Sequence, residues 1–298
     1  MHLNSEKKHK AGFVNILGKP NVGKSTLMNA LVGQKLSIIT AKAQTTRHRI
    51  LGIVNGEDFQ IVYSDTPGIL IPNYKLQEIM LKSAHSALGD ADIILYVTEI
   101  TDKPGENDEI VNKIKNIDLP VILIINKIDL SSQEKVDELV KKWSKELPDA
   151  DILAVSATHG HNITGLFELI LEKLPENPAY FPKDELTDKT ERFFASEIIR
   201  EKIMLNYRQE VPYVVEIDIE AFREEEKIIR ISAVIYVEKK KKKGIIIGNK
   251  GASIKKTGTE ARLEMENFFG KKVFLEMFVK VRKNWRNNDR MLRQFGYN

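Results

Sequence analysis

The sequence predicts a chain of two domains: an α/β domain with a mostly parallel sheet, followed by a smaller α+β domain. Three observations predict this. In the first 175 residues, short continuous apolar runs alternate with helical patterns, as expected for parallel strands covered on both faces. The stretch LPENPAYFPKDELTDKT, from Leu174, contains three prolines and interrupts the alternation. After it, one helical segment precedes two strand-like runs, a glycine-punctuated helical stretch and a last strand.

These patterns place the first domain at residues 1–175, a linker at 176–190 and the second domain at 191–298. The predicted strands of the first domain are GFVNIL, FQIVYSDT, DIILYV, PVILIIN and DILAVS. The second domain is predicted to contain the helix RFFASEIIREKIMLNY, the strands PYVVEIDIEAF, KIIRISAVIYVE and KVFLEMFVKV, and the helical stretch KGIIIGNKGASIKKTGTEARLEMENFF.

Composition narrows the function classes. The 298 residues include no cysteine, which excludes disulfides and thiolate metal sites and fits a cytoplasmic protein. The start, MHLNSEKKHK, lacks the apolar stretch of a signal peptide, and no apolar run approaches the length of a membrane span.

The charge is distributed unevenly along the chain. Residues 1–180 contain 20 Lys+Arg and 23 Asp+Glu, whereas residues 181–298 contain 26 Lys+Arg and 19 Asp+Glu. The basic second half indicates a polyanionic partner, nucleic acid or an anionic membrane surface; a solvated lysine face is the plainer alternative.

The nonapeptide GKPNVGKST has the spacing of a phosphate-binding loop, between the strand GFVNIL and a helical pattern. Glycines let the backbone approach phosphate oxygens, and the helix N-terminus adds N–H donors. Lys24 is predicted to neutralise the β- and γ-phosphates, and Ser25 to ligate Mg²⁺. The predicted nucleotide-binding residues of this loop are Gly18, Lys19, Pro20, Asn21, Val22, Gly23, Lys24, Ser25 and Thr26.

Two further tetrapeptides, each after a predicted strand, identify the nucleotide. DTPG supplies a carboxylate for the Mg²⁺ shell, through a water, and a glycine N–H for the γ-phosphate; its residues are Asp65, Thr66, Pro67 and Gly68. NKID supplies a carboxylate that can accept both adjacent N–H donors of guanine; its residues are Asn126, Lys127, Ile128 and Asp129. Adenine would leave that carboxylate unpaired, so the site is predicted to select GTP over ATP.

With these motifs, the first domain resembles the translation-factor-related GTPases, and all five motifs of that superfamily have a counterpart. QTTRH, from Gln44, resembles the first-switch motif, which donates a threonine to Mg²⁺, and we assign Thr46 over Thr45. SATHGHNI resembles the last motif, whose backbone supports guanine through Ser156, Ala157 and Thr158. The resemblance implies a P-loop GTPase fold with the catalytic residues Lys24, Thr46, Asp65 and Gly68.

The source of hydrolysis is less evident from the sequence. Ras-like relatives place a water-orienting glutamine directly after DxxG, whereas this chain has Ile69, which cannot orient water. Slow intrinsic hydrolysis is therefore expected. Arg47 and Arg49 could act as arginine fingers in cis or could be switch-loop or RNA-facing surface charges. Asn21 could help to bind K⁺, as in some relatives of this subgroup, or could serve as a turn residue.

The stretch KKKKKGIIIGNKGASIKK contains a GxxG between two helical runs. In KH domains such a loop holds the backbone of single-stranded RNA, because glycines admit phosphates and helix N–H groups face them. The predicted RNA-binding residues are Lys239, Lys240, Lys241, Lys242, Lys243, Gly248, Asn249, Lys250, Gly251, Lys255 and Lys256. Ile246 and Ile247 could pack beneath bases or belong to the core.

A GTPase domain followed by one KH-like domain of type II resembles the Era-type bacterial GTPases over essentially the whole chain. Long family-specific strings support this, including IIIGNKGASIKKTGTEAR and VKVRKNWRNNDRMLRQFGY; the dense lysine run from Lys239 departs from the family pattern. The resemblance implies a GTPase that uses GTP, GDP and Mg²⁺ and binds the 3′ end of small-subunit (16S) rRNA during 30S subunit assembly. It also implies a cytoplasmic location with peripheral membrane association. We expect a monomer.

Two alternatives compete with this interpretation. The chain could be an RNA chaperone or membrane-docked regulator in which GTP serves only as an occupancy signal. It could also resemble a sibling family of GTPases that modify tRNA, but that family has a helical insertion and a C-terminal cysteine, and this chain has neither.

Overall fold

The computed structural model of the protein describes residues 8–105 and 109–297. The first and last residues of the predicted domain limits, 1 and 298, lie outside this part. The chain divides into two compact units. The first contains the described residues of 1–37, 46–71 and 80–188, and the second contains those of 38–45, 72–79 and 189–298.

The chain up to residue 174 alternates strands and helices, as predicted, except that β2 and β3 follow each other directly. The strands are β1 (Lys10–Leu17), β2 (Ile50–Asn55), β3 (Phe59–Asp65), β4 (Ile93–Glu99), β5 (Val121–Asn126) and β6 (Asp151–Ala154). The helices are α1 (Lys24–Val32), α2 (Lys75–Gly89), α3 (Glu109–Ile114), α4 (Gln133–Glu146) and α5 (Ile163–Lys173).

The first sheet has the strand order β2-β3-β1-β4-β5-β6, and only β2 runs antiparallel to its neighbour. The prediction of a mostly parallel sheet is confirmed. All six residues of β5 are buried, which explains why this strand reads as one continuous apolar run. The antiparallel edge strand β2 was not predicted. The carboxyl ends of β1, β3 and β5 lead directly into the phosphate loop, DTPG and NKID.

The second unit contains α6 (Glu191–Asn206), β7 (Val215–Glu224), β8 (Ile228–Val237), α7 (Lys240–Ile247), α8 (Ala252–Phe269), β9 (Lys272–Val281) and α9 (Asp289–Gln294). Its sheet has the order β7-β8-β9, with β7 antiparallel and β9 parallel to β8. Helices α6, α7 and α8 pack apolar side chains against this sheet to form one hydrophobic core. The predicted smaller α+β domain is confirmed. The short helix α9 was not predicted.

The segment that follows α5 packs along the first unit. The side chain of Gln60 accepts from the backbone N–H groups of Tyr180 and Phe181, at 2.7 and 3.0 Å. The backbone N–H of Leu51 donates to Asp188 at 3.0 Å. The predicted linker limits of 176–190 stay a prediction. Helix α6 then begins after Thr190, whose side chain accepts from the Phe193 N–H and caps the first turn.

Candidate nucleotide and nucleic-acid sites

The loop between β1 and α1 can only be built with glycine at two positions. Gly18 and Gly23 have φ values of +150° and +99°. A Cβ on Gly18 would lie 2.2 Å from the Val97 carbonyl oxygen, and one on Gly23 would lie 2.2 Å from Asn126 Nδ2. The loop therefore packs tightly against the ends of β4 and β5, with the N-terminus of α1 at its end.

Lys24, at the start of α1, folds back into this loop. Its ammonium group donates to the carbonyl oxygens of Gly18 and Lys19, at 3.1 and 2.9 Å. Burial lowers the pKa of Lys24 to about 8, and the negative charge of Asp65 offsets part of that effect. A phosphate group beside this ammonium would restore the missing counter-charge, so the lysine is placed for phosphate binding.

Asn126, at the end of β5, joins two of the motifs. Its Nδ2 donates to Val22 O at 2.9 Å, and its Oδ1 accepts from the Ala157 N–H at 3.1 Å. The side chain is almost fully buried, with 2% exposure. It therefore ties the phosphate loop to the SATHG segment, and its own role is to hold the two loops in place.

The carboxylate of Asp129 is held by the last motif. Ser156 Oγ donates to Asp129 Oδ1 at 2.6 Å, and this hydrogen bond is the main reason that the pKa of Asp129 lies below its usual value. The carboxylate is thus ionised at neutral pH and ready to accept N–H donors. His159 Nδ1 lies 3.8 Å from Asp129, and the ammonium of Lys127 pairs with Glu99.

Three oxygen-bearing side chains meet at the candidate metal site. Ser25 Oγ donates to Asp65 Oδ2 at 2.7 Å and lies 2.9 Å from Thr46 Oγ1, which lies 3.2 Å from the same carboxylate oxygen. Asp65 is fully buried, and this burial raises its pKa. Its Oδ1 has no hydrogen-bond partner among the described residues. Hard oxygen ligands around a buried carboxylate with an unused oxygen fit Mg²⁺.

Thr45 makes different contacts from Thr46. Its Oγ1 donates to Lys42 O at 2.6 Å and lies 2.7 Å from Thr40 Oγ1. Residues 38–45 belong to the second unit, where Arg200 of α6 donates to the Thr45 carbonyl. The structure therefore places Thr46, and not Thr45, beside Asp65.

The other predicted nucleotide-binding residues lie in the same part of the first unit. Thr66 is buried and donates to Ile16 O at 2.8 Å, which fixes the DTPG segment on β1. A Cβ on Gly68 would lie 2.8 Å from Pro20 Cα, so DTPG lies against the phosphate loop. Ile128 begins a short 3₁₀ turn, and Thr158 is exposed. The roles of these residues stay predictions.

The four residues considered for hydrolysis differ in their surroundings. Arg49 binds Asp90, and its Nε donates to Ser64 Oγ at 2.6 Å, so it serves as a structural cation. Arg47 is buried, with 2% exposure. Asn21 is exposed with φ +67°, which is compatible with both the turn role and the K⁺ hypothesis. Ile69 packs against the core of the first unit.

The GxxG loop of the second unit connects α7 to α8. Gly248, Lys250 and Gly251 have φ values of +73°, +47° and +81°. A Cβ on Gly248 would lie 2.1 Å from Ser253 Oγ, so glycine is required there. Asn249 and Lys250 are exposed at the tip of this turn, directly before the N-terminus of α8. The loop has the shape that accepts a phosphate backbone.

The predicted basic residues surround this loop. Lys239, Lys240 and Lys241 are exposed at the start of α7, while Lys242 is partly buried and pairs with Glu210, and Lys243 is also partly buried. Lys255 and Lys256 are exposed on the first turns of α8. Ile246 and Ile247 were expected either to pack beneath bases or to belong to the core, and the structure favours the core. Ile246 is fully buried, and Ile247 packs against the hydrophobic core of the second unit.

A groove between α8 and β9 was missed by sequence reasoning. It has a volume of about 280 Å³ and is lined by Ile254, Lys255, Gly258, Thr259, Arg262, Leu275 and Met277. A Cβ on Gly258 would lie 2.6 Å from Met277 Cε, so this glycine lets the helix approach the strand. The sequence does carry a signal: Ile254, Gly258 and Arg262 follow the GxxG at intervals of four, on one helix face.

Replacing Gly248 with alanine is expected to weaken RNA binding by about tenfold and to leave GTP hydrolysis unchanged. The added Cβ would collide with Ser253, and a side chain in this backbone conformation costs about 1–3 kcal/mol. Oligonucleotide binding and GTP turnover would be measured for the same preparation. Gly244→Ala is the matched control, because nothing lies within 4 Å of its Cβ position. Equal RNA affinity of both variants would contradict the assignment of this loop.

Two family descriptions match the chain. Residues 13–127 match the family described as "50S ribosome-binding GTPase". Residues 210–286 match the family described as "KH domain". The first match covers the phosphate loop, DTPG and the start of NKID, and the second covers the GxxG loop and the groove.

Full-length relatives and solved structures agree with these matches. The chain is 46% identical to "GTPase Era" of Caldanaerobacter subterraneus, covering 97% of this chain and 98% of the relative. It is 45% identical to "GTPase Era" of Geobacter metallireducens, covering 98% and 99%. A crystal structure of Era in complex with MgGDPNP and nucleotides 1506–1542 of 16S ribosomal RNA is similar, with a TM-score of 0.92, 40% identity and coverage of 97% and 99%. Aquifex aeolicus Era Y63A bound to GDP·AlF₄⁻ gives a TM-score of 0.93 with 41% identity over 97% and 99%.

Proposed function

Because this chain belongs to the Era family of GTPases, we propose that it binds small-subunit rRNA near the 3′ end under the control of slow GTP hydrolysis. The reaction converts GTP to GDP and phosphate, with Mg²⁺ as the metal cofactor. The biological role that follows is assembly and maturation of the 30S ribosomal subunit. The observation that supports this proposal most directly is the crystal structure of Era in complex with MgGDPNP and 16S rRNA nucleotides, to which 97% of this chain is structurally similar.

Selection of guanine is assigned to Asp129. Its ionised carboxylate can accept the N1–H and the exocyclic N–H of guanine, and Ser156 orients it. Asn126 holds the loops that flank the base. Adenine has no matching pair of donors, so its binding would leave the carboxylate unpaired.

Phosphate binding is assigned to the loop backbone and to Lys24. The N–H groups at the start of α1 and the buried ammonium supply positive potential for the β- and γ-phosphates, where negative charge moves during hydrolysis. Mg²⁺, when bound, neutralises phosphate charge. Ser25, Thr46 and Asp65 would hold it, the last through a water. Since Ile69 has no group that could orient water, slow intrinsic turnover is expected.

RNA binding is assigned to the GxxG loop, the flanking lysines and the groove. The loop accepts phosphates, while the exposed Lys250, Lys255 and Lys256 add charge. The groove offers the apolar side chains of Ile254, Leu275 and Met277 to bases, and Arg262 and Thr259 add polar groups at its rim. Ile246 has no part in this surface, because it is core.

The decisive experiment measures binding of an oligonucleotide from the 3′ end of the small-subunit rRNA. The protein would be loaded with GDP or with a non-hydrolysable GTP analogue, at one fixed salt concentration, because phosphate-driven affinity depends steeply on salt. We expect tighter, sequence-selective binding with the analogue. With GTP, the bound RNA should be released as GTP is consumed.

The alternative, an RNA chaperone or membrane-docked regulator that uses GTP only as an occupancy signal, predicts a different result. RNA release would then follow nucleotide dissociation and would be independent of hydrolysis. Equal RNA binding in both nucleotide states would reject the proposed control by GTP. If RNA bound in neither nucleotide state, the basic surface of the second unit would be interpreted as a solvated lysine face.

The proposal includes a cytoplasmic location for a monomer, with peripheral contact between the basic second unit and the inner face of the cell membrane. Anionic lipid headgroups attract clustered lysines, as at Lys239–Lys243. Within the described residues, no helix has both the length and the apolar character that a membrane crossing requires. Sedimentation with anionic and neutral vesicles tests the contact.

A further inference from the structure

The side chain of Tyr207 contacts both helices that flank the GxxG loop. Tyr207 follows the last residue of α6, and its ring lies in the hydrophobic core of the second unit, with 6% exposure. Its hydroxyl donates to the carbonyl oxygen of Ile246, on α7, at 2.7 Å. The same hydroxyl accepts from Thr257 Oγ1, on α8, at 3.3 Å. One buried hydroxyl therefore joins the helix before the loop to the helix after it.

The direction of each hydrogen bond follows from the groups involved. A carbonyl oxygen only accepts, so the single proton of the Tyr207 hydroxyl points at Ile246. Tyr207 then accepts the proton of Thr257, whose oxygen accepts from Asn206 Nδ2 at 3.4 Å. The second proton of that amide goes to Glu260 Oε2, at 2.5 Å. Each donor in this chain has its own acceptor, so the network has one consistent arrangement.

The network lies where the GxxG loop begins. Ile246 belongs to the last turn of α7, in which carbonyl groups have no N–H partner within the helix. The chain then turns away at Gly248, with φ +73°. The Tyr207 hydroxyl thus caps the end of α7, two residues before the loop. Because Thr257 lies in the second turn of α8, the same hydroxyl fixes the spacing of the two helices at the loop.

We propose that Tyr207 is a positioning residue for RNA binding: its hydroxyl joins the end of α7 to α8 and so holds the GxxG loop in the shape that receives RNA phosphates. The proposal rests on the proposed RNA-binding function. Tyr207 is buried and acts on RNA only through Ile246, Thr257 and the backbone that follows them.

The loop depends on such support because its backbone is unfavourable in isolation. Lys250 has φ +47°, a conformation that a non-glycine residue keeps only where the surrounding structure imposes it. Across the turn, the Gly251 N–H donates to Gly248 O at 3.3 Å. If the ends of α7 and α8 could separate, RNA would have to order the loop on binding, which reduces affinity.

The test compares Tyr207→Phe and Thr257→Val with the unsubstituted full-length protein. Each change removes one hydroxyl and keeps the shape of the side chain. Affinity for an oligonucleotide from the 3′ end of the small-subunit rRNA would be measured over a series of salt concentrations. The slope of log affinity against log salt reports the number of phosphate contacts. Hydrogen exchange would be followed at the N–H groups of Gly248 and Gly251, which donate to Gly244 O and Gly248 O.

Tyr297→Phe is the matched control. Tyr297 is also buried in the second unit, with 3% exposure, and its hydroxyl donates to Glu216 Oε2 at 2.9 Å. Val215 and Ile217 of β7 belong to the core beneath α6, α7 and α8, so Glu216 between them lies on the opposite face of the sheet. The control therefore loses a comparable hydroxyl away from the GxxG loop.

We expect Tyr207→Phe to weaken RNA binding by about three- to tenfold, the effect of losing one buried hydrogen bond. The magnitude of the salt slope should fall by about one, and exchange at Gly248 and Gly251 should accelerate. Thr257→Val should change the same readouts in the same direction. Thr257→Ser keeps a hydroxyl and should bind RNA like the unsubstituted protein. Tyr297→Phe should leave the slope and the exchange at these two glycines unchanged.

The salt slope separates positioning from a general loss of stability. A larger unfolded fraction lowers the apparent affinity by a similar factor at each salt concentration, so it leaves the slope as it was. Tyr207→Phe with an unchanged slope would therefore make this residue merely structural. Unchanged RNA binding in Thr257→Val would exclude the connection to α8. If the unsubstituted protein bound no RNA, the proposed RNA-binding function would fail first, which separates the two failures.

Discussion

Replacing Asp129 with asparagine is expected to weaken GTP binding by about 10²- to 10⁴-fold. The carboxylate accepts two N–H donors of guanine, and hydrogen bonds to a charged group contribute about 1.5–3 kcal/mol each. The side chain of asparagine has one acceptor, the amide oxygen, and one donor group, the amide NH₂. Its NH₂ would therefore face the exocyclic NH₂ of guanine, which is also a donor, and no hydrogen bond could form there. Xanthine carries a carbonyl oxygen at that position, so the variant should bind xanthosine triphosphate instead.

Titration of both nucleotides into both proteins measures this exchange of specificity. Asp92→Asn is the matched control: its carboxylate also accepts a hydrogen bond, from the Phe13 N–H at 2.7 Å, but it lies before β4, at the other end of the sheet. The control should bind GTP like the unsubstituted protein. If Asp129→Asn kept its GTP affinity, the assignment of the NKID carboxylate to guanine would be wrong.

Replacing Lys24 with alanine is expected to weaken GTP binding and to lower the rate of hydrolysis by about 10²- to 10³-fold. The change removes a buried positive charge from the phosphate loop, and loss of one such preorganised group typically has an effect of this size. The same change leaves the carbonyl oxygens of Gly18 and Lys19 without their donor. Equilibrium binding of GDP and a GTP analogue, with single-turnover hydrolysis, measures the loss.

Lys10→Ala controls for the loss of a lysine that bonds backbone carbonyls. Lys10 donates to Leu171 O and Glu172 O, at 2.9 and 3.0 Å, in the same unit but away from the phosphate loop. Its removal should reduce stability slightly and leave nucleotide affinity unchanged. If both variants lost similar amounts of nucleotide affinity, the effect of Lys24→Ala would come from impaired folding. The assignment of Lys24 to phosphate binding would then be wrong.

The nucleotide motifs could be recognised from the sequence because each is a short continuous loop after a strand. The spacing of Gly18, Gly23 and Lys24 encodes the loop geometry locally, and the structure shows the close approaches that require the glycines. Five strands of the first sheet could be predicted because each contains a continuous apolar run, as is typical of parallel strands; in β5 all six residues are buried. The antiparallel strand β2 lies at the edge of the sheet with a mixed burial pattern, and its short apolar run ILGIVN, interrupted by Gly52, was not recognised as a strand.

The residues that sequence reasoning missed act across elements far apart in the chain. The spacing of Ile254, Gly258 and Arg262 marks one face of α8, but it does not indicate that Gly258 meets Met277 of β9. Likewise, Asn29 of α1 bonds the backbone of Leu36 and Ser37 only because the turn at Gly33 brings that segment beside it. Such pairings depend on how elements pack, which no local pattern encodes.

The sequence by itself therefore determined the fold class, the family and the chemistry of the guanine nucleotide site, since catalytic and binding groups on contiguous loops keep their spacing in any correct fold. Only the tertiary structure decided that Thr46, and not the adjacent Thr45, faces Asp65, and that the side chain of Ile246 lies in the hydrophobic core. Neighbouring residues on a loop point in different directions, and only the packed chain fixes which of them reaches a distant carboxylate.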